Sequence, residues 1–134
     1  MYVAAHRRRS CPIGLSVQFT NHVFAPQCPL QEMFYEDGQS PPPEVISRWL
    51  DVVSRTFDAP GSKESKPCIA VHCVAGLGRA PVLVAIALVE YGLDAGSAVS
   101  FIRDRRRGAI NAVQLSYLQG YKKTRRAGSK CTVS

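Results

Sequence analysis

Cys73 and Arg79 bracket the loop Val74-Ala75-Gly76-Leu77-Gly78. A cysteine that faces converging backbone N–H groups, a helix N-terminus and a guanidinium is held as a thiolate, which makes it a nucleophile at neutral pH. Arg79 can set two parallel N–H donors against the equatorial oxygens of a phosphoryl group, which a lysine cannot do. Gly76 and Gly78 allow a turn tight enough for the loop N–H groups to point inward as an anion cradle. This spacing suggests transfer of a phosphoryl group to sulfur, with the N–H groups of Val74, Ala75, Gly76, Leu77, Gly78 and Arg79 holding the oxygens. No metal or cofactor enters this reading. His72, directly before the cysteine, either tunes the thiolate through hydrogen bonds or is a satisfied core histidine at a strand end.

Cleaving a phosphate ester also requires a proton for the departing oxygen. An aspartate on a mobile loop ahead of the cradle can supply it, and Asp37 in Glu36-Asp37-Gly38, before Pro41-Pro42-Pro43, is the candidate. The plainer reading is a turn aspartate before glycine.

Positioning these groups requires a strand, a loop and a helix. Cys68 to Val71 is a short apolar run of the kind a buried parallel strand shows, and Val82 to Tyr91 continues as apolar helix with Gly92 as its stop. Pro81 suits the first turn, where its missing N–H costs nothing. A helix from Glu44 to Phe57 presents Val45, Ile46, Trp49, Leu50, Val53 and Phe57 on one face, so Trp49 reads as core. Asp94 caps a further helix to Arg107, stopped by Gly108, and Asn111 with Gln114 forms a capping pair that opens the last one. Arg105 to Arg107 reads more readily as a solvated helix end than as the flank of a substrate entrance. Before residue 34 only Leu15 to Thr20 alternates as a strand would, and His22 reads as surface.

The length of 134 residues suits one domain, and 46% apolar residues argue for a globular one. An odd count of five cysteines, with no secretory signal, predicts free thiols in a reducing compartment. No apolar run approaches the ~20 residues that span a bilayer, so a cytosolic soluble domain is expected. The net charge of +7 belongs to the C-terminal quarter: from Phe101 onward nine Lys and Arg face Asp104 alone. Few aromatics interleave with these charges and no nucleic-acid motif accompanies them, so nucleic acid is not the expected partner and an anionic membrane surface is.

The pattern His-Cys-x5-Arg across a strand, loop and helix is the signature of the cysteine-dependent protein phosphatases. The wording His72-Cys73-Val74-Ala75-Gly76-Leu77-Gly78-Arg79-Ala80-Pro81 closely resembles the phosphatase-of-regenerating-liver group, the prenylated type IVA tyrosine phosphatases. The resemblance runs from about Glu36 to Tyr121 and resumes at the C-terminal tetrapeptide. It implies an α/β three-layer domain with a central, mainly parallel sheet flanked by helices. Residues 34–121 would form the phosphatase core, 1–33 a divergent segment lacking some of the family's strands, and 122–134 a polybasic tail. The family's Trp-Pro-Phe-Asp-Asp-Gly loop matches Met33-Phe34-Tyr35-Glu36-Asp37-Gly38, which supports Asp37 as general acid but lacks the Trp-Pro hinge. The family's regulatory N-terminal cysteine is not matched in context by Cys11 or Cys28, and Cys68 reads as packing. Ala80 stands where most tyrosine phosphatases carry a hydroxyl that assists departure of the cysteine sulfur, so a long-lived phosphocysteine and slow turnover are expected. A polar residue near Gln114 positions water in related phosphatases, although the cap explains Gln114 equally well.

Cys131-Thr132-Val133-Ser134 has the form of a farnesylation box, with the preceding basic cluster as a second membrane signal. The resemblance thereby implies prenylation and methylation at Cys131, and residence on the cytoplasmic face of the plasma membrane and endosomes with a cytosolic fraction. The expected substrate is a phosphotyrosine protein or another phosphoester. The rival reading is a non-catalytic regulator whose cradle binds a partner, such as the cyclin M type magnesium transporters on which the family docks. A nonproductive short form and self-association stay open.

Overall fold

The run Cys68-Ile69-Ala70-Val71 is apolar and β-branched enough to be buried on both faces, and it forms the middle of strand β3 (Pro67–His72). In the computed structural model, which describes residues 1–7, 30–60 and 67–124, β3 lies at one edge of a three-stranded sheet in the order β2-β1-β3. Strand β1 (Tyr2–Arg7) is central and β2 (Leu30–Glu32) lies on its other side. Both pairings are antiparallel, with Ala4 opposite Leu30 in one and Ala70 in the other.

Among the described residues the sheet is thus antiparallel, where the resemblance implies a mainly parallel one. Tyr2-Val3-Ala4-Ala5 is itself a four-residue apolar run, overshadowed in sequence by the arginines that follow, and it supplies the neighbour of β3. A parallel neighbour requires a crossover of a dozen or more residues, usually a helix, and among the described residues no such unit ends beside β3. The strand expected at Leu15 to Thr20 lies outside the described residues. So do His22, Cys11, Cys28 and the tail that carries Cys131.

Four helices follow among the described residues: α1 (Pro43–Phe57), α2 (Arg79–Glu90), α3 (Ala95–Arg105) and α4 (Ala112–Gly120). Helix α1 is amphipathic, and its Trp49, fully buried, donates Nε1–H to the carbonyl of Leu83 at 2.7 Å. Helix α2 is apolar on nearly every side because it runs through the core: Val82, Leu83, Val84, Ala85 and Ile86 are all buried. It packs against β3 and against the other three helices. Asp94 caps α3 by accepting from the Ser97 N–H at 3.0 Å. Asn111 caps α4 in a reciprocal pair with Gln114. The carboxylate of Glu90, at the end of α2, accepts from the Tyr121 hydroxyl, the Thr124 N–H and the Thr124 hydroxyl at 2.7, 2.8 and 2.9 Å, fixing the chain as it leaves α4. No helix among the described residues is long and apolar enough to cross a membrane.

Candidate active site

Cys73 follows the last residue of β3 and is nearly buried, with 5% of its surface exposed. The loop after it turns through Gly76 at φ 68°, a left-handed conformation that glycine adopts without steric cost, and enters α2 at Arg79. Helix α2 therefore begins at Arg79 with Pro81 in its first turn, as the sequence suggests. Cys73 and Arg79 stand at the two ends of one strand, loop and helix N-terminus, as their spacing suggests.

Asp37 arrives from the opposite side. Its Oδ1 lies 3.2 Å from Nε of Arg79, whose side chain is mostly buried, while Asp37 stays open to solvent. That Nε is buried and meets no acceptor at a hydrogen-bonding angle among the described residues. The contact is thus a charge pairing that leaves the N–H direction available to another acceptor.

Three contacts hold the Asp37 loop over the cradle. Tyr35 donates its hydroxyl to the carbonyl of Arg79 at 2.7 Å. Asn111 Nδ2 donates to the carbonyl of Gly38 at 3.0 Å, and Gln114 Nε2 to that of Gln39 at 3.2 Å. Gln114 is fully buried, and its Oε1 accepts from the Asn111 N–H at 3.1 Å. The capping pair at the start of α4 is therefore also the clamp on the acid loop. In place of the Trp-Pro hinge, Met33 is buried in the core and Tyr35 is the anchor. Burial holds the Tyr35 hydroxyl well above the ordinary tyrosine range; the charges of Cys73 and Asp37 add to this and Arg79 opposes it.

Gly78 is where the two loops meet. A Cβ there would lie 3.3 Å from Asp37 Oδ1 and 3.4 Å from Gln114 Nε2. Behind the cradle, Arg106 Nη2 donates to the carbonyl of Ala75 at 2.9 Å, and the Ile110 N–H donates to that of Leu77 at 2.7 Å. Arg106 therefore reaches the phosphate loop, whereas Arg105 folds back over the ring of Phe101, 3.7 Å from its centroid, as a helix-end cation. His72 ends β3 opposite Tyr2.

Phe34, Val74, Leu77 and Val113 are the exposed large hydrophobics among the described residues. They sit on the acid loop, the phosphate loop and the first turn of α4, the three segments that border the site. Tyr35 and Ile110 escape a reading of the sequence, and Arg106 reads there with its neighbours as a solvated helix end; the Asn111/Gln114 pair is legible as a cap but not as a clamp.

No family model matches the chain. It is 41% identical to the Dictyostelium discoideum protein called probable protein tyrosine phosphatase type IVA A, over 96% of this chain and 74% of that one. It is 54% identical to the human protein tyrosine phosphatase type IVA 3, over 69% of this chain and 51% of the relative. The chain thus spans about half the length of its fly and human relatives. A solved Leishmania major chain assigned as a protein tyrosine phosphatase superposes with a TM-score of 0.54 at 45% identity, covering 66% of this chain and 56% of that one.

Proposed function

Because the chain belongs to the protein tyrosine phosphatase type IVA family, we propose that it dephosphorylates phosphotyrosine or a comparable aryl phosphate through a phosphocysteine. The observation that carries this reading is Asp37 Oδ1 at 3.2 Å from Arg79 Nε at the mouth of the Cys73 loop. It sets a carboxyl group, a proton donor whenever it is protonated, beside a guanidinium that can hold a phosphoryl group. Cys73 Sγ attacks phosphorus as the P–O bond to the leaving group breaks, and Asp37, in its acid form, delivers its proton to that oxygen. Arg79 and the loop N–H groups hold the three remaining phosphoryl oxygens. In the second half water attacks phosphorus, Asp37 takes back a proton, and the thiolate departs. Ala80, fully buried beside Arg79, has no hydroxyl to assist that departure, so the second half limits turnover. The apolar rim of Phe34, Val74, Leu77 and Val113 suits an aromatic ester better than a phosphorylated serine.

The same proposal has the protein acting at the cytoplasmic face of membranes, held there by a farnesyl group on Cys131 and by the basic residues before it. A rapid-quench time course with phenyl phosphate tests the chemistry. A burst of phenol near one equivalent per folded protein, absent in Cys73→Ser and followed by slow turnover, is the expected result. No burst from folded protein would refute the enzyme reading. The site would then remain an anion cradle that can dock an acidic partner, the role suggested by Arg79 already resting against a carboxylate.

A further inference from the structure

Ile110 adopts φ 66°, and it is the one residue other than glycine at positive φ among the described residues. A β-branched side chain avoids the left-handed region, so something must hold it there. Arg103, in the last turn of α3, does so from two sides: Nε donates to the carbonyl of Ala109 at 3.0 Å and Nη2 to that of Ile110 at 2.8 Å. With its carbonyl fixed in this way, Ile110 turns its N–H to the carbonyl of Leu77 at 2.7 Å. Arg106 meets the carbonyl of Ala75 at 2.9 Å, two residues earlier in the same loop.

In a trans peptide unit the carbonyl of one residue and the N–H of the next point in opposite directions. A carbonyl of Ala75 drawn outward to Arg106 therefore aims the N–H of Gly76 inward. A carbonyl of Leu77 drawn outward to Ile110 does the same for the N–H of Gly78. We propose that Arg103 and Arg106 are positioning residues that orient the Gly76 and Gly78 N–H groups toward a bound phosphoryl group, Arg103 acting through the strained backbone of Ile110. The inference deepens the phosphatase reading and rests on it only for the identity of the anion, since the cradle would bind inorganic phosphate in either case.

The test reads the cradle directly. Inorganic phosphate bound in the loop protects Cys73 from alkylation by iodoacetamide, followed on the Cys73 peptide by mass spectrometry. In parallel the burst rate with phenyl phosphate is recorded, and circular dichroism checks each variant for folding. Arg103→Met should weaken phosphate protection and slow the burst, each by roughly 30-fold to 100-fold, the scale of a cradle misplaced by about 1 Å. Glycine at position 110 accepts φ 66° without a brace, so Arg103→Met combined with Ile110→Gly should return to within about threefold of Ile110→Gly alone. Arg106→Met should also weaken protection, and Ile110→Gly should not restore it.

A folded Arg103→Met protein that keeps wild-type protection overturns the proposal, as does an absence of rescue by Ile110→Gly. Should Arg103→Met fail to fold, Arg106→Met alone decides: unchanged phosphate protection overturns the proposal. If the wild type shows phosphate protection but no phenol burst, the enzyme reading fails and the brace is still judged by protection. A purely structural role for Arg103 would lower the melting temperature without the selective rescue.

Discussion

Gln114→Leu tests whether the cap of α4 works as the clamp of the acid loop. The substitution keeps roughly the same volume in a fully buried position and removes two hydrogen bonds, Gln114 Nε2 to the Gln39 carbonyl at 3.2 Å and the Asn111 N–H to Gln114 Oε1 at 3.1 Å. Each such bond contributes ~1 kcal/mol net. Both orphaned partners belong to exposed residues and can turn to water, so the loss should stay at about 1–2 kcal/mol, a fall in Tm of roughly 5 °C. The Asn111 contact to Gly38 remains, so the loop is loosened but not released.

The catalytic consequence depends on the leaving group. General acid catalysis contributes about 10²-fold to 10⁴-fold where the departing oxygen needs a proton, and little where it does not. With phenyl phosphate the burst rate of Gln114→Leu should fall about 10-fold, part of the way toward Asp37→Ala. With 4-nitrophenyl phosphate, whose phenolate leaves readily without a proton, it should fall no more than about twofold. Rapid-quench bursts on the two esters give the ratio. Equal losses on both would refute the clamp, because the amide would then be supporting the cradle or the core and not the position of Asp37.

Three further outcomes are expected. Ala80→Ser places a hydroxyl beside Arg79 in the first turn of α2; steady-state turnover should rise several-fold while burst amplitude and rate stay the same, as read in a single stopped-flow trace. Tyr35→Phe removes the 2.7 Å bond to the Arg79 carbonyl and should cost about 1 kcal/mol at pH 7. The folded protein holds the Tyr35 proton more tightly than the unfolded chain, so this contribution is whole below about pH 10 and is lost as the pH rises beyond it. Urea melts at pH 7 and pH 10.5 should therefore show a smaller alkaline loss in Tyr35→Phe than in the wild type. Glu90→Ala removes the acceptor for Tyr121 and Thr124; it should cost about 2–3 kcal/mol and speed amide exchange at Thr124, with the burst rate unchanged.

The strand, loop and helix start that carry Cys73 and Arg79 were legible in sequence because the pattern is local. Cys73, Gly76, Gly78 and Arg79 lie within one strand, loop and helix start, and each residue type is demanded by its neighbours. Helix α1 was legible within one residue of its start, and Trp49 as core, because a 15-residue amphipathic period leaves little choice of buried face. The caps at Asp94 and Asn111 were equally plain. What could not be read was where distant donors end. The side chains of Tyr35 and Gln114 reach acceptors 44 and 75 residues away, and no local pattern encodes such a partner. Strand β1 escaped for a different reason: four apolar residues before an arginine run give too short a signal to separate from a disordered or targeting segment.

The sheet raises the question of what keeps a phosphate loop rigid when a three-stranded antiparallel sheet stands behind it. Strand β3 is an edge strand among the described residues, and its pairing with β1 runs the length of both strands, from Pro67 opposite Arg7 to His72 opposite Tyr2. That pairing fixes the backbone immediately before Cys73. It does nothing for the five residues after it, which form no ladder. Those residues are held from other directions. Arg106 and Ile110 take the carbonyls of Ala75 and Leu77, and Tyr35 takes that of Arg79. At the far end, α2 is locked by burial on nearly every side and by Trp49 on the Leu83 carbonyl. The loop is thus braced carbonyl by carbonyl from the connection between α3 and α4 and from the segment that carries Tyr35 and Asp37, and the sheet needs only to fix its first residue. It follows that weakening the β1–β3 pairing should cost global stability before it alters the cradle, whereas loosening the Arg103, Arg106 or Tyr35 contacts should alter the cradle in a protein that is still folded.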